Sequence, residues 1–182
     1  GSREGRLGLV RPDYSPARAL ARAARRGPGR LSLVDAATGE RWTVSQSFDA
    51  VARLVGAFRR RGLGAGTRIA LIGANSAWHF LCHAAASWLH AVTVPLSPRL
   101  PSSALASMCV RVGVTWAFVD ESASLHARAL ADAGVRAFPW DDLRSWTRHG
   151  DPIAGEPARC GAELAAVLFT SGSTGMPRPV EL

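Results

Sequence analysis

Length, composition and charge set the first limits on this chain. It has 182 residues, 47% of them hydrophobic, so it can bury the core of one domain of ordinary size. No apolar run approaches the ~18 residues of a membrane helix, which predicts that no segment spans a membrane. The three cysteines (Cys82, Cys109 and Cys160) are widely spaced and odd in number, which argues against a disulfide framework and predicts a reducing, cytoplasmic location.

The formal net charge of +8 is unevenly distributed, and all 22 basic residues are arginines. Residues 1–62 carry 13 arginines against five acids, a difference of +8, whereas residues 63–182 carry nine of each. The codon usage of a GC-rich genome explains an arginine-only composition, and a basic contact surface for an acidic partner domain is a second explanation. A nucleic-acid surface is disfavoured because the arginines lie on helix faces without interleaved aromatic residues. We therefore expect no nucleic-acid partner.

The first predicted element is a short helix. Ser15 supplies a hydroxyl N-cap, Pro16 takes the first helical position, and the helix ends at Gly27–Pro28. The chain is accordingly expected to divide into an arginine-rich leader with this first helix, residues 1–30, and one subdomain, residues 31–182.

After a predicted hairpin of residues 31–36 and 41–45 and a helix over 47–62, apolar strands alternate with helices. Continuous apolar strands in such an alternation are typical of a parallel sheet covered on both faces. The sequence therefore predicts an α/β fold with a mostly parallel sheet flanked by helices. Residues 141–161 are expected to be mostly loop, with a short helix beginning at Asp141–Asp142. The strands are predicted at 68–73, 91–96, 115–120, 135–139 and 163–170, and the helices at 76–90, 102–112 and 122–134.

The strongest chemical signal is a loop that follows the last predicted strand. It places four hydroxyls and two glycines in six residues: Thr170, Ser171, Gly172, Ser173, Thr174 and Gly175. Glycines allow turns that aim successive backbone N–H groups at one point, hydroxyls add donors, and Arg178 adds a fixed positive charge. These are the parts of a polyphosphate site. A flexible Ser/Gly linker is the alternative, although linkers rarely follow a buried strand so abruptly.

The stretch TSGSTGMPRPV resembles the phosphate-binding signature of the adenylate-forming (AMP-binding) superfamily, which runs T-S-G-[ST]-T-G-x-P-K-G-V. RIALIGANSAWHF and AVTVPLSPRLPSSAL are similar to upstream segments of the same family. The resemblance covers about residues 31–182 and implies that this is the N-terminal subdomain of an acyl- or aryl-CoA ligase-like enzyme or of a loading ligase domain. Polyketide and nonribosomal peptide megasynthases contain such domains.

The resemblance implies a two-step reaction. A carboxylic acid reacts with ATP and Mg²⁺ to give an acyl-adenylate, and the acyl group then passes to the thiol of coenzyme A or of an acyl carrier protein. Thr170 through Gly175 and Arg178 would hold the β- and γ-phosphates, because the leaving pyrophosphate must be stabilised as charge moves onto it. The segment PLSPRLPSSAL is closer to CoA ligases than to amino-acid adenylation domains, which favours an acyl or aryl acid.

The sequence departs from the family pattern in two ways. Arg178 stands where the family has lysine, and Pro179 stands where it has glycine, which fixes φ at that position. The resemblance also places the family's adenine pocket, Mg²⁺-binding acid and catalytic lysine downstream of residue 182. We therefore expect this chain to be part of a longer enzyme, to be inactive alone, and to self-associate through exposed apolar surface. A truncated, non-catalytic homologue acting as a docking or scaffold module is the alternative.

The remaining reactive side chains favour structural roles. His79 and His83 stand at i and i+4 of one predicted helix, which could bind zinc, but no further ligand is evident. Packing is favoured for both, and we expect no metal site in this chain. No histidine is placed to activate Cys109 or Cys160, so no catalytic residue is assigned.

Overall fold

The computed structural model describes residues 15–158, 164–170 and 177–182. Within these ranges the helices are α1 to α6, the strands are β1 to β8, and a 3₁₀ helix covers Glu121–His126. The helices span Pro16–Arg26, Val44–Arg60, Ala77–Trp88, Ser102–Arg111, Ala127–Asp132 and Trp140–His149. The strands span Leu31–Val34, Arg41–Thr43, Arg68–Ile72, Val92–Leu96, Trp116–Val119, Arg136–Pro139, Val167–Thr170 and Arg178–Glu181.

The central sheet has four strands in the order β4-β3-β5-β6, and all of its pairings are parallel. The predicted parallel α/β fold is thereby confirmed. After β3 the chain goes to β4 on one side and then crosses back to β5 on the other. The strand order therefore reverses between β3 and β5, and a crevice opens outside their carboxyl ends, as expected at such a switch point.

Helices cover both faces of the sheet because side chains alternate along each strand. On β3, Ile69 and Leu71 pack with α1, α2, α3 and α6, whereas Ala70 and Ile72 pack with α4 and α5 on the other face. All four are at most 1% exposed. Helix α1 belongs to the first of these two layers, and the boundary expected at residue 30 stays a prediction.

Capping explains where α2 begins. Thr43 Oγ1 accepts the backbone N–H of Gln46, and the Gln46 side chain accepts the N–H of Thr43, which is a complete capping box. The helix therefore starts at Val44, earlier than the expected residue 47. None of the described helices is long and apolar enough to cross a bilayer.

Three parts of the predicted structure need correction. The short helix expected to begin at Asp141–Asp142 is α6, which starts at Trp140 and takes up ten residues of a segment expected to be mostly loop. The expected helix 122–134 is a 3₁₀ helix followed by the six residues of α5. The expected buried strand 163–170 is shorter and half exposed, and it pairs antiparallel with β8 instead of joining the parallel sheet along its length.

Candidate functional site

The hairpin of β7 and β8 holds the two described residues of the expected phosphate site. Thr170 ends β7 and Arg178 begins β8, and the two are partners in the antiparallel register. The Thr170 hydroxyl donates to the Arg178 carbonyl oxygen over 3.4 Å, and both residues are exposed. The other expected residues, Ser171, Gly172, Ser173, Thr174 and Gly175, lie outside the described residues. Strand pairing thus brings the hydroxyl and the guanidinium-bearing residue to the same end of the hairpin.

A short contact with β4 orients this hairpin on the sheet. Ala166 forms a parallel bridge with Thr93, whose N–H donates to the Ala165 carbonyl over 3.2 Å. Because β7 continues from Ala166 in the direction of β4, Thr170 lies toward the carboxyl end of the parallel sheet. The carboxyl ends of parallel strands are where ligands bind in α/β folds.

Two arginines outside the motif form hydrogen bonds or ion pairs with β8 and the residue before it. Arg111 Nη1 donates to the Pro177 carbonyl over 2.8 Å, immediately before Arg178. Arg68 donates to the Val112 carbonyl and pairs with Glu181, over 2.9 Å and 3.1 Å. Sequence reasoning missed Arg111 because a contact across 66 residues leaves no local signal.

A groove of about 380 Å³ lies beside β7 and includes both histidines weighed above as metal ligands. His79 Nδ1 donates to the Ala74 carbonyl over 3.0 Å, and His83 Nδ1 lies 2.7 Å from Thr93 Oγ1. Burial lowers the pKa of both rings, and the nearby His79 lowers that of His83 further. No third His, Cys, Asp or Glu joins them among the described residues, so zinc gains no support here.

The crevice at the β3–β5 switch point is larger, about 550 Å³. Two of its carboxylates are bound to backbone N–H groups. Asp35, 4% exposed, accepts from Ala77 at the start of α3 over 3.0 Å, and also from Ala37 and Thr38. The bond from Ala77 is the largest cause of the lowered pKa of Asp35. Asp120 accepts from Ala74 over 2.6 Å and from Ala123 over 2.9 Å.

These carboxylates occupy the N–H groups that an anionic ligand would otherwise use at helix starts. Neither Asp35 nor Asp120 was singled out from the sequence. The sequence could have indicated Asp120, because an Asp between a buried strand and a helix is a typical N-cap. No local sequence pattern could have indicated Asp35, since it caps a helix 42 residues further along the chain.

The described cysteines are poor nucleophiles. Cys82 and Cys109 are both fully buried free thiols. Burial raises the pKa of the Cys109 thiol to about 11 and that of Cys82 even higher. Both thiols stay protonated near neutral pH. Cys160, which was considered with Cys109 as a possible nucleophile, lies outside the described residues.

A parallel sheet of four strands, covered by helices on both faces, defines the class of this chain as an α/β protein. The family model for AMP-binding enzymes matches residues 20–182, and the chain belongs to that family.

Two curated relatives illustrate the range of the family. The chain is 28% identical over 165 residues to a 2-succinylbenzoate–CoA ligase of Listeria innocua, a match that covers 88% of this chain and 32% of that protein. It is 32% identical over 169 residues to the non-ribosomal peptide synthetase CmlP of Streptomyces venezuelae, covering 87% of this chain and 16% of that protein. The chain therefore spans a third or less of the length of these relatives.

Solved structures show the same fold. A fatty acyl CoA synthetase of Mycobacterium tuberculosis superposes with a TM-score of 0.83 at 21% identity, over 92% of this chain and 34% of that one. A long-chain-fatty-acid-CoA ligase of Archaeoglobus fulgidus also gives 0.83, at 20% identity, over 94% and 36% of the two chains. The resemblance expected from the motif is thus confirmed at the level of family and fold.

Proposed function

We propose that this chain is the N-terminal part of an ATP-dependent ligase that activates a carboxylic acid as an acyl-adenylate. The observation that carries the proposal is the pairing of Thr170 with Arg178 at one end of the β7–β8 hairpin, in a chain of the AMP-binding family. When bound, ATP with Mg²⁺ supplies the adenylyl group and a pyrophosphate leaving group. The chain's own contribution is to hold the phosphates.

Each residue of the loop has a separate part in that task. The hydroxyls of Ser171, Ser173 and Thr174 donate to phosphate oxygens, and that of Thr170 joins them by turning from the Arg178 carbonyl, to which its 3.4 Å hydrogen bond is long. Gly172 and Gly175 let the backbone N–H groups converge on the phosphates. Arg178 contributes a permanent positive charge that offsets the charge developing on the leaving pyrophosphate. The geometry supports this assignment, because the hydroxyl of Thr170 lies beside the exposed residue Arg178. No described residue is assigned to Mg²⁺.

The proposed substrate is an acyl or aryl acid, and the proposed acceptor is the thiol of coenzyme A or of a carrier protein. The support is the likeness to relatives whose names specify CoA ligation or non-ribosomal peptide synthesis. We place the reaction in the cytoplasm because the two described thiols are free. This chain alone is expected to give no ATP–pyrophosphate exchange, since it spans a third or less of those relatives.

Calorimetric titration of this chain with MgATP tests the phosphate site. We expect weak binding that becomes about tenfold weaker in Arg178→Gln, because one charge-assisted contact is lost. Arg128→Gln is the matched control, since Arg128 is 93% exposed and has only a loose pair with Asp132 at 3.8 Å. Equal weakening by both substitutions would mean that general charge, not the hairpin, attracts ATP. If Arg178→Gln leaves the affinity for MgATP unchanged, Arg178 is not part of the phosphate site.

A further inference from the structure

The switch-point crevice has the size and the walls of a small-molecule site. Its volume of about 550 Å³ falls in the range of ligand pockets, roughly 300–1,000 Å³. Trp78, Phe138 and Trp140 give it aromatic walls. None of these residues takes part in the ATP site proposed above.

The charge of the crevice favours a cation. Four carboxylates line it (Asp35, Asp120, Glu121 and Asp141) against the single cation Arg144, a net charge of −3. Two helices of eight or more residues, α3 and α6, begin at the crevice, and each contributes about +0.5 at its N-terminus. The crevice remains negative by about two charges after this correction.

The chain already places one of its own cations at this wall. The guanidinium of Arg144 lies 5.7 Å from the ring centre of Trp78, and Arg144 Nη1 donates to Asp141 over 2.7 Å. An aromatic face beside a carboxylate is the arrangement that binds guanidinium and ammonium groups. Arg144 thus shows that this corner accepts a flat cation.

A second observation points to a ligand. Trp140 lines the crevice and is only 6% exposed, yet its indole N–H has no hydrogen-bond partner among the described residues. The Ser76 hydroxyl, also in the lining, is likewise buried without a partner in the described part of the chain. A buried donor without an acceptor destabilises the folded chain, so we expect an oxygen atom to accept these hydrogen bonds.

We propose that this crevice binds a small organic cation, an ammonium or amidinium group on a flat apolar body, with Arg144 competing for the same corner. Asp35 and Asp120 are engaged by backbone N–H groups and contribute only their charge, so Glu121, Asp141 and Trp78 receive the charged group. Phe138 and Trp140 receive the apolar body, and an oxygen on the ligand satisfies the Trp140 indole. The proposal does not depend on ATP binding at the hairpin.

The probe is 4-methoxybenzamidine, whose ether oxygen can accept from the Trp140 indole, with neutral 4-methoxybenzamide and anionic 4-methoxybenzoate as matched compounds that carry the same ether oxygen. Each is titrated into this chain at low salt and followed by NMR. The amidinium compound is expected to bind and to shift the indole N–H resonance of Trp140, whereas the amide and the carboxylate bind more weakly. If the carboxylate binds as tightly as the amidinium compound, or if none of the three binds at millimolar concentration, the proposal is wrong.

Substitution of Arg144 gives the sharper test, because loss of this side chain is predicted to strengthen binding and not to weaken it. Arg144→Gln removes the competing guanidinium and should tighten the binding of 4-methoxybenzamidine by about threefold to tenfold. Arg148→Gln is the matched control, with the same charge change one helical turn later, on an exposed residue outside the crevice. Glu121→Gln should weaken binding by about threefold. An unchanged or weakened affinity in Arg144→Gln, or equal tightening in Arg148→Gln, would overturn the assignment.

Discussion

The switch-point crevice and the β7–β8 hairpin lie toward the same edge of the sheet but have opposite chemistry. In the crevice, Asp35 and Asp120 accept the N–H groups at the helix starts, so the positions that attract anions in this fold are already occupied. At the hairpin, Arg111 and Arg178 flank the start of β8, and the paired residue Thr170 carries a hydroxyl. The comparison supports the proposal of an anionic ligand at the hairpin and argues against one at the crevice.

The largest expected effect concerns the close approach of Gly73 to Asp120 and Trp140, two residues that line the crevice. A Cβ added at Gly73 would lie 2.6 Å from Asp120 Oδ2 and 2.8 Å from Trp140 Cζ2. Gly73→Ala should therefore lower the free energy of unfolding by about 1–3 kcal/mol, because both partners must shift. Urea denaturation followed by circular dichroism measures this change.

The control for that prediction is Gly64→Ala, where an added Cβ meets nothing within 4 Å. It should stay within about 0.5 kcal/mol of the parent chain. A loss in Gly73→Ala no larger than in Gly64→Ala would show that Asp120 and Trp140 yield easily and that Gly73 is not tightly packed against them.

A smaller loss is expected when the cap of α3 is altered. Asp35→Asn replaces one accepting oxygen by an amide donor facing backbone N–H groups, and should cost about 1–2 kcal/mol at pH 7. Because the pKa of Asp35 is lowered in the folded chain, its contribution is present above the unfolded pKa of about 3.9 and is lost as the pH falls through the lower, folded value.

The parent chain and Asp35→Asn should thus reach the same free energy of unfolding in strong acid, as measured by urea denaturation at a series of pH values. Asp132→Asn, an exposed carboxylate with a 3.8 Å ion pair, controls for the charge change and should have little effect at pH 7. A gap between the parent and Asp35→Asn that stays constant down to strong acid would argue against an ionised Asp35 as the cap.

The parallel sheet could be predicted because its strands carry their own signal. After Arg68, β3 is the continuous apolar run IALI, and β5 is WAFV, as is typical of buried parallel strands, and Gly62 and Gly134 mark helix ends. The start of α6 was expected from Asp141–Asp142, but its length was underestimated because DDLRSWTRH is mostly polar and only Trp140 and Leu143 in the helix are buried. Its burial depends on tertiary contacts, such as the edge-on packing of Trp146 against Phe58 at 6.2 Å.

The hairpin was harder to predict than its motif. The hydroxyl and glycine cluster is local and visible, but β8 contains Pro179, and a proline inside a run argues against a strand. The structure accommodates Pro179 opposite Phe169 in a two-stranded ribbon. The crevice was not predicted because the residues that line it come from segments more than 100 residues apart.

The attachment of the hairpin gives the third prediction. Arg111→Gln removes the hydrogen bond to the Pro177 carbonyl and should reduce local stability by about 0.5–1.5 kcal/mol. Amide hydrogen exchange should accelerate in β8 while the central strand β3 stays protected, because the effect is local. The exposed Arg128→Gln serves again as control. Acceleration throughout the sheet would show that Arg111 supports the whole fold and not the hairpin.

The smallest effect is expected where this chain departs from the family signature. Arg178→Lys keeps the positive charge and introduces the family's lysine, so the affinity for MgATP should change by less than about threefold, against about tenfold for Arg178→Gln. Parallel calorimetric titrations of the two variants measure the difference. If lysine weakens binding as much as glutamine, the planar guanidinium makes a paired contact that a point charge cannot replace. Arg178 would then be a specific phosphate ligand, and the hairpin would differ from the crevice in geometry as well as in charge.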